Sequence, residues 1–401
     1  MRNDLINPKP KEVDIMKKIL QYHTGYYKSS GGAETYITGL VKNLDYNFEI
    51  LADALPGYPL IDYPRKNVKI IRFKPDNYNI ASFNYRFINR VLFPYRLYAD
   101  IIRIKNKRKY LKRAKYDLVH FHDSGVGGAL TKLSYMLKSA KLFENLADFS
   151  YVEPKILTIH GLSCLMTDNP MVKEQEMNFI KQFENIICVD ERLYTFLKGN
   201  LEDDVRLWHV PNSVDTRRFE FIPLPLDNKI KIGFIGRLEK SRGISLLYEL
   251  INNLPPYVEV YVLGAGNSMD IEKFKSHMDM TKIHFEANLN YKEAHKFYRK
   301  FDILLNPVIA EGISRVTLEA MSSGRPVIML DKGNRYPVID KKTGYLIKND
   351  IGGLLKLLRY LDENRNELKE VIENARKVVE KEYDNNVLIP RIGEIYEEIT
   401  G

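Results

Sequence analysis

Glu311 and Glu319 stand eight residues apart in the string EGISRVTLE, which runs on into AMSSG at 320–324. The preceding run DILLNPV, residues 302–308, is apolar and reads as a buried strand. The second half of the string has helical spacing, with Val316, Leu318, Ala320 and Met321 available to a core. Glu311 is therefore expected on a loop at a strand's C-terminal edge, and Glu319 about one turn inside the next helix. In open α/β sheets that edge is where ligands bind. A helix N-terminus there offers free N–H groups and a positive dipole end, which suit a phosphate. Two carboxylates beside it suit hydroxyl-rich groups attached to the phosphate, such as a ribose and a sugar. The competing reading makes both glutamates solvated surface acids.

Histidines form a second constellation. His120, His122 and His160 all fall on expected strands. His122 ends its strand, and Asp123 follows it. Alternation places His120 on the same face, deeper in the sheet. A histidine on a strand is more often structural than catalytic. Three of them raise a metal site, but their spread over two strands and the lack of supporting acids argue against one. His122 is the first candidate for contact with a substrate and His160, in TIHG at 158–161, the second.

The elements that must position these residues alternate between strand-like and helix-like segments, the mark of parallel α/β units. Strands are expected at 18–23, 48–53, 68–73, 117–123, 155–161 and 185–190. A second series is expected at 230–236, 258–264, 282–287, 302–308, 326–330 and 344–347. Helices are expected between them, among them 33–44, 246–254 and 291–301, with a last one at 385–399. At 401 residues the chain suits two domains rather than one core. The expected division is a polar extension over 1–15, a first domain over 16–213, a second over 214–384 and a terminal helix over 385–401. The first 15 residues lack an apolar signal core. They read as a mobile extension, or Met16 is the true start.

Composition excludes several classes. Hydrophobic residues at 44% and charged residues at 28% are globular values. No apolar run approaches the length of a membrane-spanning helix. Cys164 and Cys188, the two cysteines, lack metal-ligand spacing and read as buried free thiols in a reducing compartment. Charge is concentrated: residues 86–115 hold eleven Lys or Arg against one acid, Asp100, in a chain of net charge +9. Aromatic and aliphatic residues interleave with these cations, making segment 85–116 basic and amphipathic. Such a stretch suits an anionic membrane surface, nucleic acid, or a solvated face over a core. No nucleic-acid motif accompanies it, so nucleic acid is not expected as a partner.

The E-x7-E string resembles the motif of family-4 retaining glycosyltransferases, whose GT-B fold places two Rossmann-like domains across a cleft. The resemblance continues in order along the chain from about Lys17: GGAE at 31–34, HVPNSVD at 209–215, FIGRL at 234–238 with Gly243, VLGAG at 262–266, and GYLI at 344–347. It implies transfer of a sugar, with retention, from a nucleoside-diphosphate donor, UDP- or GDP-linked, to a hydroxyl acceptor. It also implies a terminal helix that crosses back to the first domain. The D-x-D metal signature of the other glycosyltransferase fold is absent, so no metal is expected. Cations and helix N-termini must then stabilise the charge on the leaving diphosphate. The resemblance assigns that work to Arg237, which follows a strand, and to Arg242, with Lys240 as substitute. A surface ion pair is the competing reading for Arg237. Arg242 stands where the family has lysine, and a guanidinium is not equivalent to an ammonium. Gly31 and Gly32 would let backbone approach the donor phosphates, and Gly264 and Gly266 form the family's glycine turn. Backbone N–H groups of Ser314, Arg315 and Val316 would hold the diphosphate, with Ile313 and Ser314 replacing the usual Phe-Gly. Glu311 would sit at the donor sugar and Glu319 at the ribose hydroxyls. His122 and His160 would meet the sugar or acceptor. Val338 departs from the family's usual Glu. A glycan or lipid-linked acceptor is expected, and with it a cytoplasmic location, peripheral on the inner face of the membrane. Another enzyme on this fold, such as a nucleotide-sugar epimerase, and a non-catalytic binder of anionic lipid or polymer are the alternatives.

Overall fold

The computed structural model describes residues 16–23, 32–54, 58–73, 93–123, 141–165, 169–224, 229–266, 268–288, 293–309 and 312–401. The chain divides into two units, residues 1–211 with 389–401, and residues 212–388.

The first unit is built on an eight-stranded sheet: β1 (Lys18–Tyr22), β2 (Asn47–Asp53), β3 (Ile61–Arg65), β4 (Val68–Phe73), β5 (Leu118–Phe121), β6 (Lys155–Ile159), β7 (Asn185–Cys188) and β8 (Arg206–His209). Its order is β3-β4-β2-β1-β5-β6-β7-β8. Every pairing is parallel except β3 with β4. The inner strands are apolar on both faces, as helix-covered parallel sheets require; all four residues of β5 and all five of β6 are buried. The flanking helices are α1 (Gly32–Asn43), α2 (Phe93–Leu111), α3 (Lys141–Leu146), α4 (Pro170–Ile180) and α5 (Glu191–Lys198).

The second unit carries a six-stranded, all-parallel sheet: β9 (Ile230–Arg237), β10 (Val258–Ala265), β11 (Ile283–Ala287), β12 (Ile303–Asn306), β13 (Val327–Leu330) and β14 (Tyr345–Ile347). Its order is β11-β10-β9-β12-β13-β14. The helices are α6 (Ile244–Asn252), α7 (Ser268–Ser276), α8 (Ala294–Phe297), α9 (Arg315–Ser322), α10 (Ile351–Glu363) and α11 (Glu367–Glu382). One core joins Ile232, Phe234 and Val260 of the sheet to Leu247 and Leu250 of α6 and to Leu354 and Leu358 of α10. The last helix, α12 (Asn385–Thr400), buries Ile389, Ile392, Ile395 and Tyr396 at helical spacing. It packs on the first unit, with Ile389 beside Gly39 and the Tyr46 hydroxyl on Glu397 at 2.7 Å.

Several expectations need correction. Of the helix expected at 291–301, residues 291–292 lie outside the described residues and the described part holds a single turn, α8. Strands β3 and β8 had no counterpart in the sequence reading; both are sheet edges with mixed composition. Cys188 is buried, with its thiol pushed up to about 12 by burial and then by Asp190, whereas Cys164 is only half-buried. Neither is in a disulfide.

Candidate functional site

Each sheet reverses its strand order once, between β1 and β5 in the first unit and between β9 and β12 in the second. Parallel sheets open a crevice at the C-terminal ends of strands at such a point. The candidate residues gather at these two places, each within its own unit.

In the second unit, β9 ends at Arg237, in register with Ala265 of β10, and Gly236 faces Gly264. A Cβ on Gly264 would stand 2.9 Å from Leu238 Cδ1 and 3.0 Å from Phe285 Cε2, so a larger residue there makes those side chains shift. Asn288 pins Gly266 from both sides: Gly266 N donates to its Oδ1 at 3.2 Å, and its Nδ2 donates to Gly266 O at 3.1 Å. Past Arg237 the chain makes one 3-10 turn, Lys240–Arg242, and then Gly243 adopts φ 73°. A Cβ there would meet Pro307 O at 1.9 Å. Glycine at 243 therefore lets this turn touch the end of β12, where Ile309 N also donates to Ser241 O at 3.4 Å. Within the turn both arginines converge on Glu239 Oε1, Arg237 Nη2 at 3.2 Å and Arg242 Nε at 3.8 Å. Burial, then the neighbouring Arg237 charge, draws the Arg242 pKa down. Lys240 is exposed.

The loop after β12 leads into α9. Ser314 caps that helix, its side chain accepting from Thr317 N. Asn306, the last residue of β12, fixes the cap: its Nδ2 donates to Ser314 Oγ at 3.0 Å and to Thr317 Oγ1 at 2.8 Å. Arg315 opens the helix, and its Nε is buried without a hydrogen-bond partner among the described residues. Val316 is half-buried. Glu319 is 5% exposed and its Oε2 accepts from the Tyr298 hydroxyl at 2.7 Å, so it is no solvated surface acid. Glu311 lies outside the described residues. The backbone on either side of it is held by the buried Arg335, which donates through Nη2 to Val308 O at 3.1 Å, through Nη1 to Gly312 O at 3.4 Å and through Nε to Leu330 O at 2.9 Å.

In the first unit, Gly32 is the first residue of α1, and Gly31 lies outside the described residues. His122 follows β5 and is 5% exposed; His160 follows β6 and is half-buried. Their rings stack, with His122 Nδ1 at 3.2 Å from His160 Nε2. His122 Nε2 is 2.7 Å from Gln21 Oε1. Gln21 Nε2 donates to the Tyr396 hydroxyl at 3.2 Å, and that oxygen is 2.5 Å from His120 Nδ1. His120 Nε2 closes the series on Thr158 Oγ1 at 2.6 Å. Burial holds His120 and His122 well below the usual imidazole pKa, so both are neutral and each carries one ring proton. One consistent assignment follows. His122 donates from Nε2 to Gln21 and accepts at Nδ1 from His160. Tyr396 donates to His120 Nδ1, and His120 donates from Nε2 to Thr158. Tyr36 packs edge-on against all three rings.

A fourth histidine, His23, ends β1 beside them. Its Nδ1 is 2.5 Å from Asp123 Oδ2 and its Nε2 3.6 Å from Glu34 Oε1. Burial lowers its pKa, but the charge and hydrogen bond of Asp123 and then those of Glu34 outweigh it and raise it to about 9. His23 is therefore an imidazolium at neutral pH, unlike its neighbours.

The basic segment is only partly a surface feature. Residues 85–92 lie outside the described residues, and α2 with the turn that follows it carries the rest. Arg103 and Lys107 turn inward on Asp53, Arg103 Nη1 at 3.1 Å from Oδ2 and Lys107 Nζ at 2.9 Å from Oδ1. Lys107 is fully buried, which lowers its pKa. Lys105, Lys109, Lys112, Arg113 and Lys115 are exposed.

Sequence reasoning missed Gln21, His23, Glu239, Tyr298, Arg335 and Tyr396. Each acts through a partner far away in the sequence or, for Glu239, between two cations that drew the attention. Only His23 left a local signal, its place at the end of an expected strand.

Two family models match the chain, Glycosyltransferase Family 4 over residues 30–218 and Glycosyl transferases group 1 over residues 229–364. An uncharacterised glycosyltransferase of Methanocaldococcus jannaschii is 22% identical over 413 residues, covering 96% of this chain and 100% of the relative. The UDP-Gal:alpha-D-GlcNAc-diphosphoundecaprenol alpha-1,3-galactosyltransferase of Escherichia coli is 25% identical over 324 residues, 75% of this chain and 80% of the relative. Among solved structures, sucrose-phosphate synthase from Thermosynechococcus elongatus superposes with a TM-score of 0.75 at 15% identity, over 95% of this chain and 98% of the other.

Proposed function

We propose, from the premise that the chain belongs to the family-4 glycosyltransferases of group 1 and has their GT-B fold, that it moves a sugar from a nucleoside diphosphate to a hydroxyl acceptor with retention and without a metal ion. The observation that carries this reading is in the second unit: the capped N-terminus of α9 with Arg315 Nε, unpartnered among the described residues, beside the turn that gathers Arg237 and Arg242. Free N–H groups and guanidinium groups at one strand edge make a seat for a diphosphate. In this reading Ser314, Arg315 and Val316 offer backbone N–H groups, and Arg237 and Arg242 supply the charge a metal would otherwise supply, with exposed Lys240 alongside. Gly264 and Gly266 keep the β10 turn low at that edge. Glu319 binds the ribose hydroxyls and Glu311 the donor sugar. In the first unit the half-buried His160 would meet the sugar or acceptor, and His122, both of whose nitrogens are engaged, would hold that ring in place. The bond from the anomeric carbon to the phosphate oxygen breaks, the bond to the acceptor oxygen forms on the same face, and the acceptor's proton passes to the leaving diphosphate.

The donor base is uracil in this proposal, in line with the UDP-Gal of the Escherichia coli relative. That relative's diphosphoundecaprenol acceptor also favours a lipid-linked acceptor here. The exposed cations of α2 would then dock the first unit on an anionic membrane. No helix among the described residues is long and apolar enough to cross a membrane.

Thermal unfolding of the full chain with UDP, GDP, ADP and their sugars, in chelator, tests the proposal. Stabilisation by UDP and UDP-sugars, lost in Glu319→Ala and in Arg237→Ala, is the expected result. Stabilisation by none of the nucleotides overturns it. Stabilisation that returns only with a divalent cation overturns the metal-free mechanism.

A further inference from the structure

Tyr298 follows α8, five residues before β12, and plays no part in the reading above. Its ring is 1% exposed, wedged edge-on against Phe219 at 5.5 Å and tilted against Phe301 at 5.8 Å. Its carbonyl accepts from Nε of the buried Arg325 at 2.8 Å. Backbone and ring are therefore both fixed, which sets where the hydroxyl stands. It donates to Glu319 Oε2 at 2.7 Å.

Glu319 needs such a partner. It lies in the middle of an eight-residue helix and is buried, where an apolar side chain would fill the space without the cost of desolvating a carboxylate. A flexible glutamate would also have several rotamers to lose on meeting a ligand. A phenol held between two rings on a pinned backbone removes that freedom beforehand, as preorganised sites do. Glu319 stands five residues, about 7.5 Å along the helix axis, beyond the Ser314 cap where the diphosphate would bind. At that distance the same ligand presents its ribose rather than its phosphates.

We infer that Tyr298 is a positioning residue that sets the Glu319 carboxylate for ribose hydroxyls, and so makes the second unit selective for ribonucleotides over deoxynucleotides. This rests on the donor reading given under Proposed function. Tyr298 touches no reacting atom.

The test compares, by calorimetry on the full chain, whichever of UDP, GDP and ADP binds the wild type with its 2′,3′-dideoxy counterpart. The ratio of the two dissociation constants is read within each variant, so a partly unfolded sample does not bias it. The wild type is expected to prefer the ribonucleotide by roughly tenfold or more, the scale of one or two hydrogen bonds. Tyr298→Phe is expected to bring that preference close to unity while binding of the dideoxy compound stays unchanged. Glu319→Gln is expected to lose the preference too, and the double variant to lose no more than either single one. A Tyr298→Phe protein that keeps the wild-type ratio overturns the inference, as does one that loses both affinities equally. A wild type without preference overturns it through Glu319. A wild type that binds none of the three nucleotides overturns the donor reading instead.

Discussion

His122 Nδ1 and His160 Nε2 are 3.2 Å apart, and His122 Nε2 is committed to Gln21 on its other side. A neutral, buried His122 therefore has both nitrogens engaged inside the protein, whereas the half-buried His160 is the more accessible ring. The sequence alone places His122 first and His160 second. Under the proposed function, His160 meets the sugar or acceptor and His122 holds its ring in place. His122→Phe is then expected to lower kcat on the order of 10²-fold through misplacement of His160, with little change in the affinity for UDP. Steady-state kinetics against UDP titration by calorimetry check this; an unchanged kcat refutes it.

The chain from Gln21 to Thr158 passes through Tyr396 of the last helix. Tyr396→Phe leaves His120 Nδ1 and Gln21 Nε2 each short of a buried partner. A destabilisation of about 1–3 kcal/mol is expected, read by urea unfolding of the full chain.

Asp53 is shared between Arg103 and Lys107, all three buried. Removing it leaves the buried Lys107 without a carboxylate partner and Arg103 with Asp100 alone, and Asp53→Ala is expected to cost about 3–5 kcal/mol. Lys107→Met removes one cation and keeps the bulk, and is expected to cost much less. Equal losses in the two variants on chemical denaturation run against this account.

Gly243 combines a left-handed backbone with a 1.9 Å approach of its absent Cβ to Pro307 O. Gly243→Ala is expected to destabilise by about 1–3 kcal/mol and to weaken UDP binding, because the turn that carries Arg242 must lift away from β12. Calorimetry with UDP on the folded fraction measures the second effect.

His23 gives stability a pH signature. Its folded pKa, about 9, lies above the ordinary 6.5. The stabilisation is thus fully present below pH 6.5 and fades as pH rises through 9, on the order of 3 kcal/mol across that window. The gap in unfolding free energy between the wild type and His23→Asn is expected to narrow from pH 6 to pH 10. A constant gap shows that His23 does not titrate in that range.

Much of the scaffold is legible in the sequence because parallel strands covered on both faces are written as short apolar runs, such as ILLN at 303–306 and VIML at 327–330. Edge strands escape that rule. IDYPR at 61–65 carries a proline and three polar residues, and RLWH at 206–209 is exposed at its start, so neither shows a period. The strand-order reversals beside β1 and β9 are also silent, since order is set by crossovers rather than composition. Site residues were visible when their chemistry sat in a local string, as for Arg237 and Glu319. They were invisible when they matter through a distant partner: Tyr298 is 21 residues from Glu319, and Gln21 is 101 from His122.

The polypeptide passes from the first unit to the second after Pro211 and returns at Ile389. Residues 212–388 are therefore synthesised before the segment that supplies Tyr396. The second unit is one continuous segment, while the first holds His120 and Gln21 without their Tyr396 partner until 389–401 docks. Loss of the final dozen residues would therefore be felt not where the chain was cut but in the half that was translated first.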